Sequence, residues 1–590
     1  MLTHRPTQIQ RSIRSHRPTV AAAATLAALL CGFAARCHLL GEKDVWWDEG
    51  LAVWAARLPL RAMAEWTAGD VHPPLYFALL HFWRLAVGDS EFAVRYLSVL
   101  FGVTTVAATA ALARRVAGGS WGAATAAACL LATSRFAVWW SQEARMYALA
   151  GLLVVMSLHA TLRLASRPTW RRALLLAALN ALLLWTLYLG AAAVVVETLY
   201  LLAVLARRGE AARPRLAVMS ATSLVASAAA LAPWLAYMLP RTRSWSVREP
   251  FDVGAFAQLY ATLLVAGEST NVDRALAWWL PALAGAAVLL VVAWRALPAG
   301  RPRADLLLLP AAVVLPAVAV AAATALPRDF GYSPRPEARY LLPFAAPFSA
   351  MLGVSVVLAT RRLAAARTRV VIAGGLTAVL CLPGLAWLPA YYGDRVRTDD
   401  YVAVAATLSA YVGERDAIVL HSDHNWPVFA YHWPGPFFGT PHLQPADAGL
   451  VEATLGPVWA RSAALWLVVN DDGLRVDKDR LYERWLAERA TRRREWRFGA
   501  ARLLWFARGT DSPGPVLRST PTASAGAGSG AIMGSEVPLA RFVAGTTANL
   551  FAYVDCSRAG QRTAEVRVTL GQPAVAVGAA PAGKIGRAHV

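Results

Sequence analysis

Charge is what this chain has least of. Only 16% of its 590 residues are Asp, Glu, Lys or Arg, against 57% that are apolar, and the mean hydropathy is +0.42. A soluble globular domain, with about 25% charged residues, is excluded. Lysine is nearly absent: Lys43, Lys478 and Lys584 are the three among 58 basic residues, so the net charge of +21 is carried by arginine. A GC-rich coding sequence and the bias of positive residues toward one side of a membrane account for that excess, which gives no ground for a nucleic-acid partner. Cysteine is sparse too. Cys31, Cys37, Cys129 and Cys381 lie in apolar runs and Cys556 in a polar one, which leaves neither a disulfide framework nor a CxxC metal site.

Long apolar runs are what the chain has in abundance. Eleven approach the roughly 17–25 residues that cross a bilayer: about 18–40, 92–113, 119–134, 144–162, 173–188, 190–206, 216–236, 277–294, 305–326, 341–360 and 370–389. The first follows Arg5, Arg11, Arg14 and Arg17 but ends in Arg36-Cys37-His38, a poor cleavage site, so it is read as an anchored span. A further run, 73–88, is short and carries His81 and Arg84. If it does not cross, the loops on one side (1–17, 114–118, 163–172, 207–215, 295–303 and 361–369) hold 21 arginines and one acid, Glu210, in 59 residues. The loops on the other side (41–91, 135–145, 239–276 and 327–339) hold 13 basic and 15 acidic residues in 113. Counting 73–88 as a span would move the later arginine clusters to the wrong face, so an interfacial or re-entrant helix is expected there.

The expectation is therefore an α-helical polytopic membrane protein of the cell (plasma) membrane, with about eleven spans plus interfacial helices. Residues 1–17 form a cytoplasmic tail, 18–390 the transmembrane module, and the chain after about 390 is extracytoplasmic. One buried polar pair falls inside it. Asn180 and Glu197 lie about equally far from the turn near Tyr188-Leu189, hence at one depth on adjacent antiparallel helices. A mutual hydrogen bond is the first expectation, an ionisable group in a lipid or substrate path the second.

Three of the loops on the acidic side carry chemistry. Loop 41–91 reads Trp46-Trp47-Asp48-Glu49 and then Asp70-Val-His72-Pro-Pro-Leu-Tyr76; loop 135–145 carries Arg135, Trp139-Trp140 and leads into Ser141-Gln-Glu143-Ala-Arg145-Met-Tyr147. Loop 327–339 adds Arg328, Arg335, Glu337 and Arg339-Tyr340. Carboxylates at a membrane surface can do acid/base work. Adjacent helical residues point about 100° apart, so Asp48 and Glu49 cannot both face one reacting atom. Arginine offers a phosphate a planar fork of donors, and tryptophan and tyrosine offer flat faces to sugars or prenyl chains. Any one such loop alone is read as a solvated turn with an aromatic belt; three on one face are not. A lone His72 beside one acid is weak ground for a metal, and a divalent ion stays open.

These motifs, in this order, resemble the GT-C membrane glycosyltransferases, within them the bacterial branch related to protein mannosyltransferases and aminoarabinose transferases. The resemblance covers roughly residues 18–500. It departs at Thr186-Leu187-Tyr188, where many relatives have Thr-His-Tyr. What it implies is a GT-C fold and transfer of a sugar from a polyprenyl-phosphate donor to an envelope glycan, lipid or protein acceptor outside the cytoplasm, with inversion at the anomeric carbon. Asp48, matching the family's first-loop acid, would be the general base, with Glu49 beside it in the catalytic pair. Arg145, Arg339, Tyr147 and Tyr340 would hold the donor phosphate, and Asp70, His72, Glu143 and Trp47 would position substrate. The alternative is a polytopic transporter or flippase of a lipid-linked or small polar substrate, which would carry ionisable residues near mid-membrane and two repeated halves. No internal repeat is evident.

After the last span, 416–421, 464–470 and 501–507 read as short buried strands, with a charged helical stretch from Asp477 to Trp496. An extracytoplasmic α/β domain over 391–511 is expected. Its histidines, His421, His424, His432 and His442 with Asp423, match no standard ligand spacing and are read as surface or substrate-lip residues. Residues 512–535 form a flexible linker rich in Gly, Ala, Ser, Thr and Pro. Weak strand patterns near 550–554 and 564–570 mark 536–583 as the start of a further domain. The last seven residues, Lys584-Ile-Gly-Arg-Ala-His-Val590, read as a translated sequencing adapter, so the natural chain is expected to continue.

Overall fold

The computed structural model describes residues 18–70, 72–210, 213–241, 252–267, 272–297, 303–324, 338–393, 401–499 and 501–508, and the strands at 531–536, 549–555, 563–568, 575–581 and 586–589. The chain forms two compact units, one of Met1–Lys43 with Ala52–Val396, the other of Asp44–Leu51 with Arg397–Val590.

The first unit is helical. Its elements are α1 (Pro18–Cys37), α2 (Trp47–Arg57), whose first turns belong to the second unit, α3 (Leu60–Gly69), α4 (Leu75–Val87), α5 (Glu91–Val116), α6 (Trp121–Thr133), α7 (Arg135–Ser141), α8 (Tyr147–Ser166), α9 (Trp170–Leu184), α10 (Ala191–Arg207), α11 (Arg213–Met238), α12 (Val253–Val265), α13 (Val272–Arg295), α14 (Arg303–Thr324), α15 (Ala345–Thr360) and α16 (Ala366–Gly393). All eleven expected spans fall on helices. Among the described residues, however, eight helices are long and apolar enough to cross, or nine if α6 and α7 count as one broken span. The shortfall has physical reasons. Helix α9 has 15 residues, about 22 Å of rise against a hydrocarbon core of about 30 Å. The run at 119–134 bends by 64° where α6 meets α7. In α13 the described apolar stretch is Leu280–Arg295, shorter than a full span; helix α4, with 13 residues, rises about 20 Å and is too short to cross alone, as expected of the run 73–88.

That bend is built, not frayed. Ser134 leaves helical geometry and its side chain accepts from the amide of Ala137, capping α7. A break inside a membrane protein frees carbonyls that need donors, and Arg36 supplies one to Leu131 while holding Gly32 of its own helix and Ser141. Wholly buried, it donates to the carbonyls of Gly32 (2.9 Å) and Leu131 (3.2 Å) and to Ser141 Oγ (3.1 Å). Among the described helices long and apolar enough to cross, the stretch Tyr340–Thr360, which ends in α15, is the most enclosed. Gly353 makes that packing feasible, since a Cβ there would stand 2.7 Å from the amide nitrogen of Ala127. Asn180 donates to Glu197 at 2.8 Å across α9 and α10, both side chains being buried, the mutual hydrogen bond expected from their spacing.

The second unit has α17 (Tyr401–Tyr411), then β1 (Ala417–His421), α18 (Trp426–His432), β2 (Phe438–Gly439), α19 (Ala448–Arg461), β3 (Ala464–Val469), α20 (Asp471–Val476), α21 (Leu481–Arg489), β4 (Arg492–Phe498) and β5 (Ala501–Ala507). These strands form one sheet in the order β2-β1-β3-β5-β4, parallel from β2 to β3 and antiparallel beyond. Side chains alternate between its faces. Ile418, Leu420, Trp466, Val468, Leu503 and Trp505 pack with α17 and α18, whereas Val419, Leu465, Leu467, Leu504 and Phe506 pack with α19 and α21. The expected strands at 416–421, 464–470 and 501–507 are β1, β3 and β5.

The helix expected from 477 to 496 is corrected: helix covers Leu481–Arg489, and Arg492–Phe498 is strand β4. Its arginines suit either state, but Trp496 pairs with Leu503 and Phe498 with Ala501, and both aromatic rings are buried. Of the linker expected at 512–535, residues 531–535 lie in β6 (Ala531–Glu536), and the remainder lies outside the described residues. Strands β7 (Asn549–Asp555) and β8 (Thr563–Val568) fall where weak patterns are read; β9 (Val575–Pro581) and β10 (Gly586–His589) follow. The tail at 1–17 lies outside the described residues.

Candidate active site

Within the first unit, the loop that ends α3 and the turn between α7 and α8 meet. His72 Nδ1 lies 2.9 Å from Asp70 Oδ2, and His72 Nε2 lies 3.3 Å from Arg145 Nη2. A guanidinium only donates. Nε2 must therefore accept, Nδ1 carries the ring proton and gives it to Asp70, and His72 is neutral when this chain is formed. Pro73 and Pro74 follow at once and start α4, which fixes the direction in which the histidine leaves the loop.

The turn holding Arg145 is braced from several sides. Gln142 Nε2 donates to the carbonyls of Arg36 (2.9 Å) and His38 (2.8 Å), and its Oε1 accepts from the Tyr391 hydroxyl at 2.9 Å. The Arg145 amide closes onto the Glu143 carbonyl at 2.8 Å. Ser98 Oγ donates to the Arg145 carbonyl (3.3 Å) and so accepts from the Tyr76 hydroxyl at 3.0 Å. The Tyr of His-Pro-Pro-Leu-Tyr thereby steadies the backbone of the arginine. Glu143, with its side chain fully enclosed, binds Lys43 and accepts from Trp139 Nε1 at 3.1 Å.

Aromatic rings line the same turn. Trp139 stacks on Trp140 at 5.5 Å, Trp140 meets Tyr147 edge-on at 4.8 Å, and Tyr147 lies 6.4 Å from Tyr340. The Arg145 guanidinium stands 6.0 Å from the Tyr147 ring. Tyr340 belongs to a short 3-10 helix, Ala338–Phe344. Arg339 falls in its first turn, but its side chain, like Arg328, Arg335 and Glu337, lies outside the described residues.

In the second unit, Asp48 and Glu49 occupy the first turn of α2, where backbone N–H groups favour negative charge. Both are buried. Trp47 Nε1 donates to the carbonyl of His424 at 2.8 Å. Gly50 faces the Pro427 carbonyl oxygen so closely that a Cβ would stand 2.5 Å from it. Among the histidines singled out by sequence, His442 bonds Asp423 and the rings of His424 and His442 are 5.3 Å apart; the surface position expected for His421 is corrected, since it ends the buried strand β1 with its Nε2 3.3 Å from buried Asp477.

Asp70, His72 and Arg145 are thus one hydrogen-bonded chain, while Tyr147 and Tyr340 join through their rings. The reading missed Lys43, whose signal was rarity: one of three lysines, in the first chemistry-bearing loop. It also gave Gln142 no role.

Residues 71–238 match the dolichyl-phosphate-mannose-protein mannosyltransferase family; this segment contains His72, Glu143, Arg145 and Tyr147, but not Asp48 or Tyr340. A search of curated proteins returns no match. Among solved structures, ArnT from Cupriavidus metallidurans in the apo state is similar over 83% of this chain and 98% of its own, at 14% identity and a TM-score of 0.53. The same protein bound to undecaprenyl phosphate is similar over 85% of this chain and 100% of its own, at 15% identity and a TM-score of 0.52. The resemblance read from the loop motifs holds at the level of fold: the chain has the architecture of the GT-C membrane glycosyltransferases, and its residues 71–238 carry the sequence pattern of the protein mannosyltransferase family.

Proposed function

We propose that this protein is an inverting glycosyltransferase that moves a sugar from a polyprenyl-phosphate donor to a hydroxyl of an envelope glycan, lipid or protein on the extracytoplasmic face of the cell membrane. The observation that carries this reading is the Asp70–His72–Arg145 chain beside the Trp140, Tyr147 and Tyr340 rings. Such a chain suits a phosphate: Asp70 holds the tautomer of His72, and His72 takes one donor of Arg145, so the remaining N–H groups of the guanidinium are aimed by a fixed partner.

In the reaction, the acceptor oxygen attacks the anomeric carbon from the face opposite the phosphate, and Asp48 takes its proton. The carbon–oxygen bond to phosphate breaks with its electron pair on the departing polyprenyl phosphate, which gains one negative charge. Arg145 and Arg339, with Tyr147 and Tyr340, are assigned to that growing charge, so no general acid is needed. Trp47, Glu49 and Glu143 are assigned to support. The ArnT structure with undecaprenyl phosphate agrees with a lipid phosphate as the donor's carrier. Whether the sugar is a hexose or a pentose is read out by the test.

The test is transfer of radiolabelled sugar from a panel of polyprenyl-phosphate sugars by the full chain in lipid nanodiscs, with Asp48→Asn in parallel. Labelled product with wild type and a loss of at least 100-fold with Asp48→Asn is expected. Equal transfer by both removes Asp48 as base, and wild type inert toward every donor overturns the proposal.

A further inference from the structure

We infer that the second unit carries an acceptor-binding rim on the loops that leave β1, β2 and β3, built from Asp423, His424, His442 and Asp472 and taking a ligand rich in hydroxyl groups, a sugar-bearing portion of the acceptor. It deepens the proposed function and rests on the reading of this chain as a glycosyltransferase whose acceptor bears hydroxyl groups.

Topology picks the place. Strand β1 is the middle of the three parallel strands, with β2 on one side and β3 on the other. The helix after β1 lies on one face of the sheet and the helix before β3 on the other. Loops therefore diverge at the carboxyl ends of β1 and β3, the position at which open parallel sheets bind ligands. Here the backbone is strained: Ser422, directly after β1, holds φ at 72°, one of three positive values among described residues other than glycine. The conformation is fixed by the Ser422 amide bonding Thr440 Oγ1 at 2.8 Å. It turns Asp423 and His424 out of the sheet, and strain of this kind clusters at ligand sites.

Side chains from three loops then converge. His442, after β2, bonds Asp423; Asn425, after β1, bonds Asp472 at the start of the helix following β3. Asp423, His442 and Asp472 remain partly open, at 41%, 35% and 21% exposure, and His424 is exposed. The chemistry is selective. In a chain with a net charge of +21 carried by arginine, this rim presents carboxylates and imidazoles, and the neighbouring guanidinium of Arg475 is paired with Asp472 at 3.2 Å. Carboxylates accept from hydroxyls and repel phosphate, so the rim suits a sugar and not the donor's phosphate.

A separate observation ties the rim to catalysis. The segment Asp44–Leu51 belongs to this unit, although nearly four hundred residues separate it in sequence from the sheet. Trp47 Nε1 bonds the carbonyl of His424 itself, and Gly50 closes on Pro427. The turn that bears Asp48 is therefore seated on the loop that bears Asp423 and His424, which puts the proposed base and the rim on segments in direct contact.

The test uses the full chain in nanodiscs. Saturation-transfer NMR with methyl glycosides of glucose, mannose, galactose and arabinose reads sugar binding without turnover, for wild type, Asp423→Asn and His442→Gln. Binding of at least one glycoside by wild type and its weakening by tenfold or more in both variants is expected, together with an acceptor KM raised at least tenfold at unchanged donor KM. Two near-isosteric changes on different loops guard against misfolding of either. Asp48→Asn should bind the glycoside as wild type does while losing transfer, so retained transfer in that variant would sink the base and leave the rim standing. Glycoside binding unaltered in both rim variants, or absent from wild type, overturns the inference.

Discussion

His72 Nε2 stands 3.3 Å from Arg145 Nη2, and its other ring nitrogen stands 2.9 Å from Asp70 Oδ2. Two loops 73 residues apart in sequence are thus coupled through one imidazole, whose two nitrogens have opposite roles. The coupling explains why a histidine serves here. It must accept on one side and donate on the other, which neither a carboxylate nor an amine does.

The first prediction follows from that division of roles. His72→Phe removes both bonds, and the loss of a hydrogen bond to a charged group, about 1.5–3 kcal/mol, should lower kcat/KM for the donor by about 10- to 100-fold. His72→Gln, which can accept from Arg145 and donate to Asp70, should retain most of the activity. Acid has a distinct effect: protonation of His72 puts a cationic N–H against the guanidinium, so donor binding should weaken on the acid side in wild type. That limb of the pH profile should vanish in His72→Gln. Donor KM unchanged in the Phe variant would show that the imidazole does not aim Arg145.

How much of this was legible beforehand differs by kind of feature. Apolar runs announce helices directly, because a bilayer demands both length and hydropathy, and each expected span lies on one. The bend at Ser134 was not legible: Phe136, Ala137, Val138, Trp139 and Trp140 continue the apolar run, and the device that stabilises the break, Arg36, sits about a hundred residues away. Strand β4 was misread because Arg-Arg-Arg-Glu favours a helix locally, whereas pairing with β5 decides its state. The site loops were visible as polar islands among apolar runs. Their mutual contacts were not, since Lys43 and Glu143 carry no signal of each other across 100 residues.

The second prediction concerns pH and the second unit. Burial pushes the Asp477 carboxyl up, but His421 and the amides of Leu481 (2.7 Å) and Tyr482 (3.2 Å) more than offset it, and the group sits below its usual value. A carboxyl depressed by folding contributes stability that is present above its unfolded value, about 3.9, and is lost as pH falls through the folded value. Asp477→Asn should therefore be less stable than wild type at pH 7, and the difference should close as pH drops below about 4. Hydrogen exchange over peptides covering 477–489, corrected for intrinsic rates, measures it. A gap that stays constant from pH 7 to pH 3 would show that the aspartate contributes shape and not charge.

The third prediction separates glue from pathway at Asn180 and Glu197, joined at 2.8 Å between α9 and α10. Bonds of this kind inside membranes contribute about 0.6–2 kcal/mol. If the pair is glue, Glu197→Leu should lower the thermal midpoint by leaving the Asn180 amide unmatched in apolar surroundings, and the double change Asn180→Leu with Glu197→Leu should recover part of it, since two apolar side chains leave no donor stranded. Glu197→Gln keeps a polar partner and should leave both stability and sugar transfer close to wild type. A path for an ion or a lipid headgroup gives the opposite pattern, because Gln cannot carry a charge or exchange a proton: transfer would fall in Glu197→Gln while the thermal midpoint held. Unfolding and transfer measured on the same nanodisc samples decide it, and the Gln variant carries the decision, since the Leu variants lose stability under either account.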